Sequence, residues 1–142
     1  MAGSPSSSLA EGVIVIGDVV LHRRVKLRDV GWVPPRGVTD IDGTAFDAFA
    51  DSEGERLESV NLIVADPEIA GTSWTDWRGD RAGAFPDAFL AERFGRGHVG
   101  NGDRYPYGSV EYRMPWGTLG SYLPRQDQWA RITLFYAKGW FR

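Results

Sequence analysis

Short β-branched and aromatic runs, each ended by a turn signal, fill this chain from Val13 onward. The turn signals recur about every 8 to 12 residues, a spacing typical of all-β sandwiches and barrels. A helix of ordinary length, about 11 residues, has little room between them. The pattern therefore predicts about seven or eight short antiparallel strands. The predicted strands with the clearest bounds are Val13–Leu21, Val25–Trp32, Leu57–Ala65, Thr72–Trp77, Ser109–Trp116 and Trp129–Trp140.

Gly, Pro and Asp clusters mark where the chain is expected to reverse direction. Turns or breaks are predicted at Pro34–Pro35, Asp40–Gly43, Asp51–Gly54 and Gly117–Gly120. The two acidic turns flank the short run Ala45–Phe49, which indicates hairpins on either side of it. Asp87–Phe94 is the one segment with helical spacing, but it is too short to exclude a strand.

A closed barrel accounts for this pattern better than a sandwich, because closure removes the unpaired edges that a small sheet must otherwise protect. About eight strands also enclose an interior that holds one small ligand. We therefore predict an all-β fold, an antiparallel eight-stranded up-and-down β-barrel over residues 13–142. Residues 1–12 are mostly small and polar, a composition that cannot offset its own ordering entropy. They are predicted to form a flexible N-terminal tail, and deletion of Met1–Ala10 should leave the melting temperature nearly unchanged.

Composition narrows the possible chemistry. The 142 residues include no cysteine and only two histidines, which excludes disulfides, zinc–thiolate sites and a multi-histidine metal site. A net charge of −3 offers no positive field for nucleic acid or for an anionic membrane surface. No apolar run approaches the roughly 20 residues of a membrane span, and the first residues lack a signal-peptide pattern. We expect a cytoplasmic protein without a metal or other cofactor, and with neither nucleic acid nor membrane as a partner.

Aromatic side chains are unusually frequent, with six Trp, five Tyr and seven Phe. Tyr and Trp combine an apolar ring with one hydrogen-bond donor, which suits a polyunsaturated ligand that carries oxygen atoms. Strand alternation places Val110, Tyr112, Met114 and Trp116 on one face. Two interpretations stay open: these rings line a ligand cavity, or they fill the core.

Several short motifs carry a family resemblance. They are Phe46-Asp47 ahead of an acidic turn ending at Gly54, Leu62-Ile63-Val64 with Pro67, and Gly117-x-x-Gly120-x-Tyr122-Leu123 leading to Gln128-Trp129. This set resembles the small spirotetronate cyclases of polyketide pathways, over roughly residues 13 to 137. Those proteins are cofactor-free Diels–Alder enzymes on an eight-stranded, calycin-like β-barrel of allene-oxide-cyclase or dirigent type. In the family a further Gly falls between the tyrosine and the tryptophan, and the spacing is slightly wider, so the last loop differs here.

The resemblance implies an intramolecular [4+2] cycloaddition that converts a linear polyketide bearing a tetronate into a spirotetronate macrocycle. It places Trp129 under the bound polyene and Trp74 where the family holds the tetronate oxygens with an aromatic pair. We add Tyr112 as the candidate donor to the tetronate carbonyl, so Tyr112 and Trp129 are the predicted catalytic residues. The predicted substrate-binding residues are Phe46, Trp74, Met114, Trp116 and Tyr122. The implied partner is the small-molecule substrate, with a homodimer as the assembly.

Three other functions stay open. The same barrel suits isomerisation or cyclisation of an oxylipin or terpenoid intermediate through a buried carboxylate or Arg131, or non-catalytic binding of a small hydrophobic ligand. A phage or virion structural module, acting in decoration or connection, is the non-enzymatic alternative. A cyclase predicts an internal apolar cavity, whereas a structural module predicts a filled interior and a large exposed apolar face.

Overall fold

A computed structural model describes residues 6–65, 88–100, 109–122 and 131–136. Within these residues the chain forms nine strands, one 3₁₀ turn at Leu27–Val30 and a helix, α1, over residues 88–94. The strands are β1 (Ile14–Ile16), β2 (Val19–Leu21), β3 (Arg36–Ile41), β4 (Thr44–Glu53), β5 (Arg56–Val64), β6 (His98–Gly100), β7 (Ser109–Met114), β8 (Gly117–Tyr122) and β9 (Arg131–Phe135). The predicted all-β class is confirmed.

The strands form two sheets in which every neighbouring pair is antiparallel. One sheet is the β1–β2 hairpin, and the other has seven strands in the order β3-β4-β5-β9-β8-β7-β6. The larger sheet thus joins two runs of sequential strands, which meet where β5 pairs with β9. Within the described residues no pairing connects the outer strands β3 and β6, so the predicted closure into a barrel stays a prediction.

The predicted acidic turns form hairpin loops. β3 and β4 are joined by Asp42 and Gly43, whose φ angles of 54° and 87° are the positive values that a type I′ turn requires. The Asp40 carboxylate accepts a hydrogen bond from the Gly43 N–H at 2.9 Å. β4 and β5 are joined through Gly54, with a φ of 61°. These turn predictions are confirmed because the chemistry that sets them is local.

The first two predicted strands differ from the structure. Val13–Leu21 is not one strand, since Gly17 adopts a φ of 63° and turns the chain into the β1–β2 hairpin. Val25–Trp32 forms an isolated bridge at Lys26 and then the 3₁₀ turn. The Asp29 carboxylate accepts a hydrogen bond from the Lys26 N–H at 3.0 Å, and such local bonds compete with strand pairing.

Two strands lie where the sequence predicted breaks. β3 begins directly after Pro34–Pro35, at the sheet edge, where a preceding proline is tolerated. β8 occupies the glycine-rich segment predicted as a separator, and all six of its residues are buried. A Cβ at Gly117 would overlap the Phe135 carbonyl oxygen. Gly117 is therefore needed because two backbones approach each other closely within the sheet. From the sequence alone, the same glycine indicates a turn.

The hydrophobic core lies on one face of the seven-stranded sheet. Alternation along the strands brings Phe46, Leu62, Leu119, Ile132 and Leu134 to this core face. The β1–β2 hairpin and α1 supply the apolar side chains that pack with it, which are Ile14, Ile16, Leu21, Phe89 and Leu90. This face of the sheet is therefore occupied by protein.

The N-terminal residues 6–12 pack against the same core, although the sequence predicts residues 1–12 as a flexible tail. Leu9 is 3% exposed and belongs to the core cluster. The Trp116 Nε1–H donates to the Ala10 carbonyl at 3.1 Å, and the Tyr136 hydroxyl donates to the Gly12 carbonyl at 2.7 Å. The mostly small and polar composition of this segment did not reveal that Leu9 packs in the core, or that two backbone carbonyls accept hydrogen bonds from side chains of the folded sheet.

Tyr136 makes stability dependent on pH in alkaline solution. Burial raises the pKa of its phenol well above the ordinary value of about 10. The neutral phenol therefore stabilises the fold below the unfolded-state pKa, and this contribution is lost as the pH rises above that value. Urea unfolding at about pH 8 and about pH 10.5 should show a larger loss of unfolding free energy for the wild type than for Tyr136→Phe. Equal losses in the two proteins would contradict this assignment.

Candidate functional site

The opposite face of the central strands, here called the polar face, is buried although its side chains are polar. Its buried members are Ser59 and Asn61 on β5, Thr133 on β9, and Thr118 and Tyr122 on β8. A buried polar side chain lowers stability unless it is hydrogen-bonded. Polar groups clustered at the centre of a sheet therefore need a structural or a functional explanation.

Strand register aligns these side chains in two rows across the sheet. The first row runs through Phe49, Asn61, Thr133, Gly120 and Glu111. The second row runs through Asp51, Ser59, Phe135, Thr118 and Arg113. The rows are two residues apart along each strand, or about 7 Å.

A chain of hydrogen bonds links three residues of these rows. The Thr133 hydroxyl donates to Asn61 Oδ1 at 2.9 Å, and Asn61 Nδ2 donates to a carboxylate oxygen of Asp51 at 3.0 Å. Thr133 and Asn61 are buried, whereas Asp51 is exposed. The chain thus carries polar contacts from the centre of the sheet to a solvated carboxylate.

A second polar pair lies on β7 and β8. The Tyr122 hydroxyl donates to Glu111 Oε2 at 2.6 Å, a short distance that indicates a charge-assisted bond. The phenol reaches Glu111 by crossing Gly120, where any Cβ would overlap the tyrosine ring. Gly120 therefore permits the position of Tyr122, and this explains a glycine in a fully buried strand.

Thr118 differs from these residues. Its side chain is 4% exposed, and within the described part of the chain it holds the one buried side-chain N or O atom without a hydrogen-bond partner. Register places it opposite Phe135 on β9 and Arg113 on β7.

Aromatic rings border the polar rows. The Tyr122 and Phe135 rings meet edge to face, with centroids 5.7 Å apart. The Arg131 guanidinium lies 5.6 Å from the centroid of the half-buried Phe49 ring, within the range of a cation–π contact. The polar face thus combines hydrogen-bonding groups, a cation and apolar rings.

The predicted site residues fall on both faces. Phe46, Tyr112, Met114 and Trp116 lie on the core side, and Tyr122 is the one described member on the polar face. Trp74 and Trp129 lie outside the described residues. The structure therefore does not bring the described members together as one set.

The core-side residues each have packing partners. Phe46 meets Phe89 edge to face at 5.2 Å. The hydroxyl of Tyr112, the predicted catalytic donor, donates to the Gly95 carbonyl at 2.8 Å. Met114 packs at the border of the core. The Trp116 indole packs edge to face with the Tyr136 ring.

Asn61, Thr118 and Thr133 were not among the predicted site residues. Asn61 carries a detectable signal, because it is a polar residue inside the apolar run Val60–Val64 of a predicted strand. Thr118 carries none, since its segment reads as a turn. Thr133 alternates with apolar neighbours, as any strand threonine does.

In the part of the chain that the structure describes, there is neither a cluster of metal-ligating side chains nor a membrane-spanning helix. No group of three or more His, Asp or Glu side chains is placed to hold a metal ion there. Over the same residues, no helix has the length and apolarity needed to span a membrane.

Comparison of the chain with family models, curated proteins and solved structures finds no match.

Proposed function

We propose that this protein is a cofactor-free cytoplasmic cyclase that holds the oxygen-bearing end of a small molecule on the polar face. The single observation that carries the proposal is the buried polar strip on β5, β9 and β8. The proposed reaction is the one that the family resemblance implies, an intramolecular [4+2] cycloaddition of a linear polyketide that bears a tetronate.

The chemistry of the polar face suits this reaction. A cycloaddition between a conjugated diene and an alkene on the tetronate forms no charged intermediate, so no proton has to move. Hydroxyl donors near the ring oxygens withdraw electron density from the alkene, and they catalyse if their bonds strengthen in the transition state. Holding diene and alkene face to face restricts the internal rotations of the polyene before the reaction, which lowers the entropic part of the barrier. The gain is smaller than the about 7–11 kcal/mol of the best conversions of a bimolecular into an intramolecular reaction, because one chain already joins the two groups.

The proposal includes closure of the seven-stranded sheet into a barrel that encloses the polar face. Burial of all six residues of β8 supports it, because a strand is buried on both sides only when both of its faces are covered. One side is the packed core, and the other is the polar face. In a closed barrel the edge amides of β3 exchange slowly with deuterium, whereas an open edge exchanges them fast.

Replacing Trp129 tests the reaction. Trp129→Ala should reduce conversion of a linear tetronate polyene at least tenfold, about 1.4 kcal/mol of transition-state stabilisation, because the indole would support the folded polyene. Mass spectrometry follows the isobaric product by its new retention time, and circular dichroism checks the fold. Trp32→Ala is the matched control, since Trp32 is 62% exposed and should leave conversion unchanged. Wild-type conversion by Trp129→Ala would remove that residue from the site, and no conversion by the wild type would refute the cyclase.

One observation favours the alternative of a structural module. Three large apolar side chains, Trp32, Val33 and Val38, are 60% exposed or more on or beside the edge strand β3. Large apolar side chains that are exposed near one sheet edge suit a contact surface. A homodimer, which the resemblance implies, or a virion assembly would bury these side chains, and light scattering separates a dimer from a larger assembly.

A further inference from the structure

We infer that the Thr118 hydroxyl binds an oxygen atom of the ligand, a carbonyl or an enolate. This assignment rests on the proposed function, because it places the oxygen-bearing end of the substrate on the polar face. It adds a residue that neither the family resemblance nor the sequence pattern indicates.

The first argument is the cost of leaving this hydroxyl unpaired. Thr118 is buried and its Oγ1 has no hydrogen-bond partner among the described residues, whereas Thr133, Asn61 and Tyr122 on the same face are all bonded. A buried unpaired polar group lowers stability, and a valine of nearly the same shape avoids that loss. A buried threonine without a hydrogen-bond partner is typical of a group that serves binding at the expense of stability.

The second argument is the surroundings of Thr118. Alternation along β8 directs its side chain away from the core residue Leu119 and toward the polar face. Arg113 lies opposite it on β7 and Phe135 opposite it on β9. An arginine at the paired position of one strand favours an electron-rich oxygen, and an aromatic residue at the paired position of the other strand favours the apolar body that carries it.

A purely structural threonine predicts a different outcome. If Thr118 supports the fold, for example through a buried water, then Thr118→Val removes a favourable bond and destabilises the protein. If Thr118 serves the ligand, the same variant is as stable as the wild type or more stable, and its ligand affinity falls.

The test measures stability and binding on the full chain. Urea unfolding compares the wild type, Thr118→Val and the control Thr39→Val. Thr39 is an equally buried threonine on the core side, and its hydroxyl lies 2.6 Å from that of Ser7. We expect Thr39→Val to unfold at lower urea and Thr118→Val to unfold at the wild-type urea concentration or above it.

Binding is followed by NMR titration with two probes, tetronic acid and benzoate. Thr118→Val should bind tetronic acid at least tenfold more weakly than the wild type, and Thr39→Val should bind it as the wild type does. If only benzoate binds, and binds in a Thr118-dependent manner, the assignment of Thr118 stands and the tetronate function fails. Three outcomes overturn the assignment. The wild type and Thr118→Val bind tetronic acid with equal affinity, or Thr118→Val is less stable than the wild type, or the wild type binds neither probe. If the two proteins bind tetronic acid equally, the proposed function survives without Thr118.

Discussion

Replacing Leu9 with alanine is expected to lower the free energy of unfolding by about 2–5 kcal/mol, the range for truncating a buried leucine. Leu9 is 3% exposed and packs in the central core although it belongs to a segment of tail-like composition. Two hydrogen bonds, from Trp116 to the Ala10 carbonyl and from Tyr136 to the Gly12 carbonyl, hold the turn at residues 9–12 in place. The leucine therefore cannot leave the core without breaking bonds that its neighbours make.

Urea unfolding followed by tryptophan fluorescence measures this effect. Val38→Ala is the control, because Val38 is 60% exposed and its truncation should change stability by less than about 0.5 kcal/mol. A Leu9→Ala protein as stable as the control would show that residues 6–12 contribute little to the folded unit. The prediction of a dispensable tail would then hold for residues 6–12.

Replacing Gly120 with alanine is expected to destabilise the protein by about 1–3 kcal/mol through overpacking. The added methyl group would overlap the Tyr122 phenol, which is buried and cannot swing into solvent without losing its bond to Glu111. The displaced ring would also disturb the edge-to-face contact with Phe135. Since these groups border the polar face, conversion of a tetronate substrate should fall in the same variant.

A double-mutant cycle separates this steric effect from other roles of Gly120. In a Tyr122→Ala background no phenol lies over the position, so Gly120→Ala should become neutral. Because alanine also restricts the unfolded chain, the expected change in that background runs from zero to a gain of about 0.4–1 kcal/mol. If Gly120→Ala lowers the unfolding free energy of the Tyr122→Ala protein as much as that of the wild type, the cause lies in the backbone of β8 and not in the tyrosine ring. Unfolding free energies of the four proteins decide between the two.

The hairpin turns show how far sequence reasoning reaches in this fold. Asp42 and Gly43 were recognisable because a two-residue hairpin loop needs positive φ angles that few residues adopt. Leu57–Ala65 was recognisable as a strand because it is mostly apolar, includes three β-branched residues and ends at Asp66-Pro67, and β5 covers nearly the same span. Both features depend on residues that are neighbours in sequence.

The residues that share one face of the sheet could not be predicted from the sequence in the same way. Among the predicted site residues that the structure describes, Tyr122 lies on the polar face, whereas Tyr112 and Trp116 lie in the core. All three have the same aromatic, strand-forming character, so composition does not distinguish them. The face on which each ring lies depends on register, and register depends on the partner strand.

The sequence by itself determined the all-β class, the positions of the acidic hairpin turns and the lack of any cysteine chemistry, because each follows from local backbone preferences or from composition. Only the tertiary structure decided that β5 pairs with β9, that the glycine-rich β8 is a central strand, and that residues 6–12 join the core. The bond from Thr133 to Asn61 joins residues 72 positions apart. Such contacts form when separate strands align, and the free energy that selects the alignment is the burial of one whole face against the rest of the molecule.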